Sequence, residues 1–151
     1  MGRLQSILAR VTRAGRRRSA GAPADGGVRI VYAPARDGDP DPGEVVWAWV
    51  PYEDDPRQGK DRPVLVIGYE RDGGRLVAVP LSSRDHADRR DAGEWVPVGT
   101  GAWDRERRES FADADRVLRF APDDVRREGA ALPRDRFDAV VARARALGHV
   151  R

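Results

Sequence analysis

The sequence predicts a mainly β domain closed by one C-terminal α-helix, and three observations carry that expectation. Short β-branched runs recur at close intervals from Glu44 onward, polar clusters rich in Gly, Pro and Asp separate them, and the apolar period lengthens to three and four residues only after Pro133. Short strands joined mainly by hairpins and loops argue for a small, strongly curved antiparallel sheet or barrel.

The first strand signal is "EVVWAWV", which puts Val45, Trp47 and Trp49 on one face and Val46, Ala48 and Val50 on the other. A polar loop, Pro51 to Asp61, then feeds the unbroken apolar run of "RPVLVIGYE". "RDGG" reads as a hairpin turn into "RLVAVPL". After another polar stretch, "EWVPV" and "ADADRVLRF" supply two more strands, making five. Pro133 suits the first turn of a helix, Phe137, Val140, Val141, Ala144 and Leu147 form one apolar stripe, and Gly148 marks its stop.

A chain of 151 residues has the length of one domain able to bury a core unaided. Zero cysteines exclude a disulfide framework and thiolate metal sites, and two histidines leave few zinc ligands. No cofactor is expected. With no secretory signal or long apolar stretch, the expected location is cytoplasmic, with no membrane partner.

The net charge of +3 is unevenly spread: residues 1–36 hold eight arginines and one acid, so the rest of the chain balances at −4. Residues 1–42 read as a basic extension and linker, with a marginal amphipathic helix around Leu4, Ile7, Leu8 and Val11, and residues 43–148 as the compact domain. Because that domain is mildly acidic, any polyanion must be held by a local patch rather than by the overall field.

Arg62 is the first residue with chemical promise. A permanently charged fork at the mouth of a buried strand is a preorganised phosphate receptor, although pairing with Asp61 or Asp55 would make it an ordinary surface cation. If the second and third strands form a hairpin, Ser82 at the end of one lies beside Arg62 at the start of the other, close enough to share a ligand. "SSRDH" carries no G-x-S-x-G elbow, so a serine nucleophile helped by Asp85 and His86 is disfavoured. Trp103 near Arg105, Arg107 and Arg108 could stack a base, but a tryptophan closing the barrel is the better reading.

"GEVVWAWVPYEDDPRQGKDRPVLVIG", "LVAVPLSS", "RESFADADRVLRF" and the closing helix together resemble the MazF/PemK toxin endoribonuclease family over roughly Gly43 to Leu147. "WVPVGTGAWDRE" and "VRREGA" are similar to an actinobacterial branch of it. The resemblance implies an SH3-like barrel acting as a homodimer, single-stranded RNA as substrate, and metal-independent cleavage that leaves a cyclic phosphate and a free 5′-hydroxyl. It also implies an antitoxin partner whose disordered tail occupies the RNA groove.

Residue by residue, the family's essential arginine falls on Arg62, its essential threonine on Ser82, the serine opening the later strand on Ser110, and the acid within that strand on Asp115. Arg57, Gln58 and Lys60 in the first long loop, with Ser83 and His86 after the third strand, are candidates for holding RNA. Where some members use an arginine two residues before the acid, this chain has Asp113. Arg62 is then the expected electrostatic stabiliser, with Asp115 or His86 to take the ribose proton. A barrel of the same shape that binds nucleic acid or protein without catalysis is the alternative.

Overall fold

The computed structural model describes residues 27–35, 39–72, 74–83 and 94–151, the side chains of 127–129 excepted. The basic segment before Gly27 and the candidate His86 lie outside the described residues. Eight strands, one α-helix and a short 3-10 helix at Pro122–Asp124 are present among them: β1 Val28–Ile30, β2 Glu44–Pro51, β3 Gly59–Glu70, β4 Leu76–Ser82, β5 Trp95–Gly99, β6 Ser110–Asp113, β7 Leu118–Phe120, β8 Val125–Ala131 and α1 Arg134–Ala146. The expected class, mainly β with a C-terminal helix, is the class observed.

The sheet runs β5-β6-β4-β3-β2-β8, with β1 beside β3 and β7 beside β4. Every pairing is antiparallel. Its end strands β5 and β8 share no ladder, so the sheet stays open rather than closing into a full barrel. Three strand expectations are refined. "ADADRVLRF" is two strands, because the chain turns between Asp113 and Leu118, where the Arg116 N–H donates to the Asp113 carbonyl. β8 adds an edge strand in a charge-rich stretch. β1 lies within the segment expected to be extension, and it is held because Val28 is buried in the core.

Strand alternation sorts the core into two clusters. Val45, Leu65, Ile67, Val77, Val79 and Leu81 point to one face, where Phe137, Val140, Val141 and Ala144 of α1 cover them. Val46, Ala48, Val50, Val64, Val66, Leu76 and Ala78 point to the other, against Phe120. Burial of these side chains at about 25 cal/mol per Å² is the main force holding the helix to the sheet. α1 begins after Pro133, carries Asp135 in its first turn and Arg143 and Arg145 in its last, and so complements its own dipole at both ends. Gly148, at φ 86°, takes the left-handed position that ends it. None of the described helices is long and apolar enough to cross a membrane.

Trp103 is buried in the helix-side cluster, donates Nε1–H to Ser110 Oγ at 3.0 Å, and accepts the Trp47 Nε1–H at its carbonyl at 3.1 Å. It closes the core, as the better of its two sequence readings expected, and is not available to stack a base. Glu44, also buried, accepts backbone N–H groups from Ala35 and Asp41, both at 3.1 Å, and so ties the preceding loop to β2.

β1 reaches β3 only because Gly68 lacks a side chain: a Cβ there would stand 2.1 Å from the Arg29 carbonyl oxygen. Gly68→Ala is therefore expected to push β1 off the sheet at a cost of about 1–3 kcal/mol. Urea unfolding would register this as a lower midpoint; an unchanged midpoint would mean that the contact has slack.

Candidate functional site

The β3 ladder decides where Arg62 points. Arg62 pairs with Ala48 of β2, Val64 with Val46, and both belong to the face away from α1. Arg62 thus lies inside β3, which starts at Gly59, rather than at the strand's mouth. Gly59 allows the strand to begin so early, since a Cβ on it would stand 2.3 Å from the Val50 carbonyl oxygen. On the other side of β3, Val64 pairs with Pro80 of β4. Two residues further along each strand, the same register brings Arg62 and Ser82 to corresponding positions on adjacent strands, about 5 Å apart in backbone.

β6 extends this face by one more strand. Ser82 pairs with Phe111, so Asp113, two residues on, stands beside Pro80 on the same face as Arg62 and Ser82. Arg62, Ser82 and Asp113 come from three neighbouring strands and are each half-buried, at the rim of the second apolar cluster.

The alternative partners of Arg62 are engaged elsewhere. Asp61 points to the opposite face, where Arg126 Nη1 donates to it at 3.3 Å, and Asp55 accepts from Arg57 Nε at 3.0 Å. Among the described residues, no carboxylate lies within ion-pairing distance of Arg62. Burial pulls the Arg62 pKa below its ordinary value, and the like charge of Arg116 adds to the fall, while Tyr52 and Asp113 oppose it. The guanidinium still carries its proton at any physiological pH. Burial also pushes the Asp113 carboxyl up to about 6, helped by the carboxylates of Glu53, Asp115 and Glu94 and resisted by the backbone N–H of Asp115.

The other sequence candidates are placed as follows. Arg57 is almost fully exposed and holds Asp55; Gln58 shapes the loop, its carbonyl accepting the Tyr52 N–H at 2.8 Å. Lys60 is exposed and, by alternation, shares the Arg62 face. Ser83 is exposed just after β4. Ser110 is 2% exposed, lies on the α1 side of the sheet and accepts from Trp103, so the fold does not bring it to Arg62. Asp115 sits in the β6–β7 turn, exposed, with Oδ1 2.7 Å from His149 Nε2.

Three residues near Arg62 were not singled out as site members. Arg116 spans the gap between the β6–β7 turn and the end of β2, where Nη2 donates to the Pro51 carbonyl and Nε lies 3.9 Å from Glu53 Oε2. Tyr52 is felt by Arg62 across the β2–β3 loop. Asp113 stood out only as a departure from a family pattern. No spacing in the sequence announces Arg116 or Tyr52, because turns bring them in. Among the described residues, no group of three or more His, Cys, Asp or Glu side chains is placed to hold a metal ion.

An open antiparallel sheet with one closing helix, carrying a guanidinium, a hydroxyl and a carboxyl at the rim of its second apolar cluster, defines a class of small β proteins. The chain belongs to the family of PemK-like, MazF-like toxins of type II toxin-antitoxin systems, whose pattern matches residues 41–147. Solved structures agree on the fold. MazF from Deinococcus radiodurans in its form I superposes with a TM-score of 0.53 at 21% identity, over 74% of this chain and 97% of that one. MazE-MazF from the same organism, form II, gives a TM-score of 0.53 at 19% identity, over 76% and 100% of the two chains. At such identities the likeness is one of fold. Comparison with curated proteins finds no match.

The raised carboxyl has a stability consequence whose sign is fixed. The fold favours protonated Asp113, so its contribution is complete below the unfolded value of 3.8 and is lost as pH rises through about 6. Asp113→Asn, which never ionises, should therefore gain on the wild type as pH rises from 4 to 7, by about 1 kcal/mol after allowance for solvent screening of a half-buried group. Thermal melts across that range test it, and a gap that shrinks with rising pH would reverse the assignment.

Proposed function

We propose that this toxin-family chain is an endoribonuclease that cuts single-stranded RNA by internal transesterification, without a metal, and that an antitoxin neutralises it by occupying the same face. The observation that carries this reading is the half-buried Arg62 guanidinium, without a carboxylate partner among the described residues, set across from Ser82 at the rim of the apolar cluster away from α1. The antitoxin is supported by the family and by the MazE-MazF neighbour. A homodimer in the cytoplasm is the setting we infer with it.

The chemistry follows from charge. The ribose 2′-oxygen bonds to the adjacent phosphorus as the bond from phosphorus to the 5′-oxygen breaks; the 2′-hydroxyl gives up a proton and the departing oxygen gains one. A cyclic phosphate and a 5′-hydroxyl result. Negative charge grows on the equatorial phosphoryl oxygens, where a fixed guanidinium and a hydroxyl donor bind the transition state better than the ground state. Arg116, anchored by the Pro51 carbonyl beside Arg62, supplies a second cation to the same region. Such local cations are what an RNA-binding surface needs on a domain whose overall balance is acidic. Lys60, on the same face, extends that patch toward the β2–β3 loop.

In excess chelator, the purified protein is expected to convert single-stranded RNA into discrete fragments ending in a cyclic phosphate. Arg62→Ala should lose at least about 10²-fold in rate, the typical effect of deleting one such donor. Near-normal cutting by that variant would remove Arg62 from the chemistry. RNA that is retarded in a gel but left intact by the wild type would instead make the chain a non-catalytic binder.

A further inference from the structure

We propose that His149 is a positioning residue: it holds the Asp115 carboxylate away from the Arg62 and Arg116 guanidiniums and so keeps those cations open to RNA phosphate, a role that rests on the endoribonuclease reading above. The end of α1 fixes where this side chain stands. Gly148, at φ 86°, turns the chain; its N–H donates to the Arg145 carbonyl and the His149 N–H to the Ala144 carbonyl, both at 3.0 Å. The next residue, Val150, is buried in the helix-side core. With the backbone held on both sides, the imidazole is presented to the β6–β7 turn, where Nε2 lies 2.7 Å from Asp115 Oδ1. A carboxylate oxygen accepts, so Nε2 carries the hydrogen and donates it.

The turn that His149 grips is the one that brings in the second cation. The Arg116 N–H donates to the Asp113 carbonyl and the Asp115 N–H to Asp113 Oδ1, both at 3.1 Å, while buried Ala114 donates its N–H to the Glu94 carbonyl at 2.9 Å. Arg116 then reaches across to the Pro51 carbonyl, beside Arg62. Asp115 directly precedes Arg116; its charge is felt at Asp113, and that of Asp113 at Arg62. A carboxylate so near in the chain is well placed to swing onto the guanidiniums, and His149 is what turns it the other way.

Other acids around the site are restrained in the same manner. Asp61, next to Arg62, is held by Arg126 at 3.3 Å, and Asp55 of the β2–β3 loop by Arg57 at 3.0 Å. Glu53, mostly exposed, keeps only a loose contact with a site cation, 3.9 Å from Arg116 Nε. Each restraint takes one carboxylate out of competition with a phosphate. For Asp115 the partner is an imidazole delivered from the segment after α1, 34 residues further along the chain. A domain of acidic balance has no general field to draw in RNA, so one more negative charge released at this patch weakens binding directly.

The test is the affinity for a single-stranded, fully 2′-O-methylated oligoribonucleotide, which lacks the attacking hydroxyl and so is bound without being cut. Fluorescence anisotropy would compare the wild type with His149→Ala, His149→Gln, Asp115→Asn and the double variant His149→Ala/Asp115→Asn. His149→Ala should bind about five-fold more weakly or worse, the effect of one released carboxylate near a phosphate contact. His149→Gln, whose amide can still donate to Asp115, should bind nearly as the wild type does. The double variant should recover wild-type affinity, because an asparagine at 115 has no charge to release; a merely structural role would leave it as weak as His149→Ala. Wild-type affinity in His149→Ala, or no recovery in the double variant, overturns the proposal. Unmodified RNA in excess chelator is the separate arm: if the wild type leaves it uncut while the affinity pattern holds, the endoribonuclease reading fails and the role of His149 stands. If that RNA is cut and the pattern is absent, the role of His149 alone is lost.

Discussion

The site depends on one constraint, the register that locks β3 between β2 and β4. Val46 opposite Val64 and Ala48 opposite Arg62 on one side, and Val64 opposite Pro80 on the other, leave the Arg62 guanidinium no choice of face. A slip of one residue would turn it toward α1 and send Asp61 to the face that Arg62 now occupies, because strand side chains alternate. The register is in turn pinned by two apolar clusters, since the same slip would exchange Leu65 and Ile67 with Val64 and Val66 between cores shaped for other side chains. Core packing and site chemistry are thus one decision. Neighbouring carboxylates that might have quenched the cation point away or are held by Arg126 and Arg57.

The helix side of the sheet is the rigid side. Trp103 links Ser110 of β6 to Trp47 of β2 through its indole N–H and its carbonyl, and Tyr32 packs its ring 5.0 Å from Phe137 while donating its hydroxyl to the Leu132 carbonyl at 2.6 Å. Buried polar groups satisfied in this way rigidify what they join, while leaving any one unpaired would cost more than the bond contributes. Ser110 belongs to this scaffold and Ser82 to the opposite face. Two serines that look alike in sequence therefore face opposite sides of the sheet, and parity along a strand is the reason.

Much of this was legible before any coordinates, and the rest was not for physical reasons. Alternation in "EVVWAWV" and the apolar run after Pro63 betrayed β2 and β3, and the stripe from Phe137 to Ala144 betrayed α1, because each has a period that one face must bury. The pairing of Arg62 with Ser82 followed once a hairpin was assumed. β1 was hidden because three residues in a polar, glycine-rich neighbourhood have no period, and its docking relies on the missing side chain of Gly68. "ADADRVLRF" alternates through its own turn, so the break between β6 and β7 leaves no trace in the pattern. The raised pKa of Asp113 leaves no trace in the pattern for a related reason: it comes from burial and from Glu53 and Glu94, which are neighbours only in three dimensions.

The charges around the site are in tension, and the tension is informative. Burial and the charge of Arg116 disfavour the Arg62 cation, while Asp113 is buried and crowded by three carboxylates; neither group is in the company that would stabilise it best. A structure held only for stability would pair the two signs directly. Here the signs are interleaved, with Arg116 3.9 Å from Glu53 and the charge of Asp113 felt at Arg62, and the two apolar clusters sustain the cost of burying them. The register of β3 and the turn after β6 thus impose on Arg62 and Asp113 a burial that neither charge favours, and apolar packing is what sustains it.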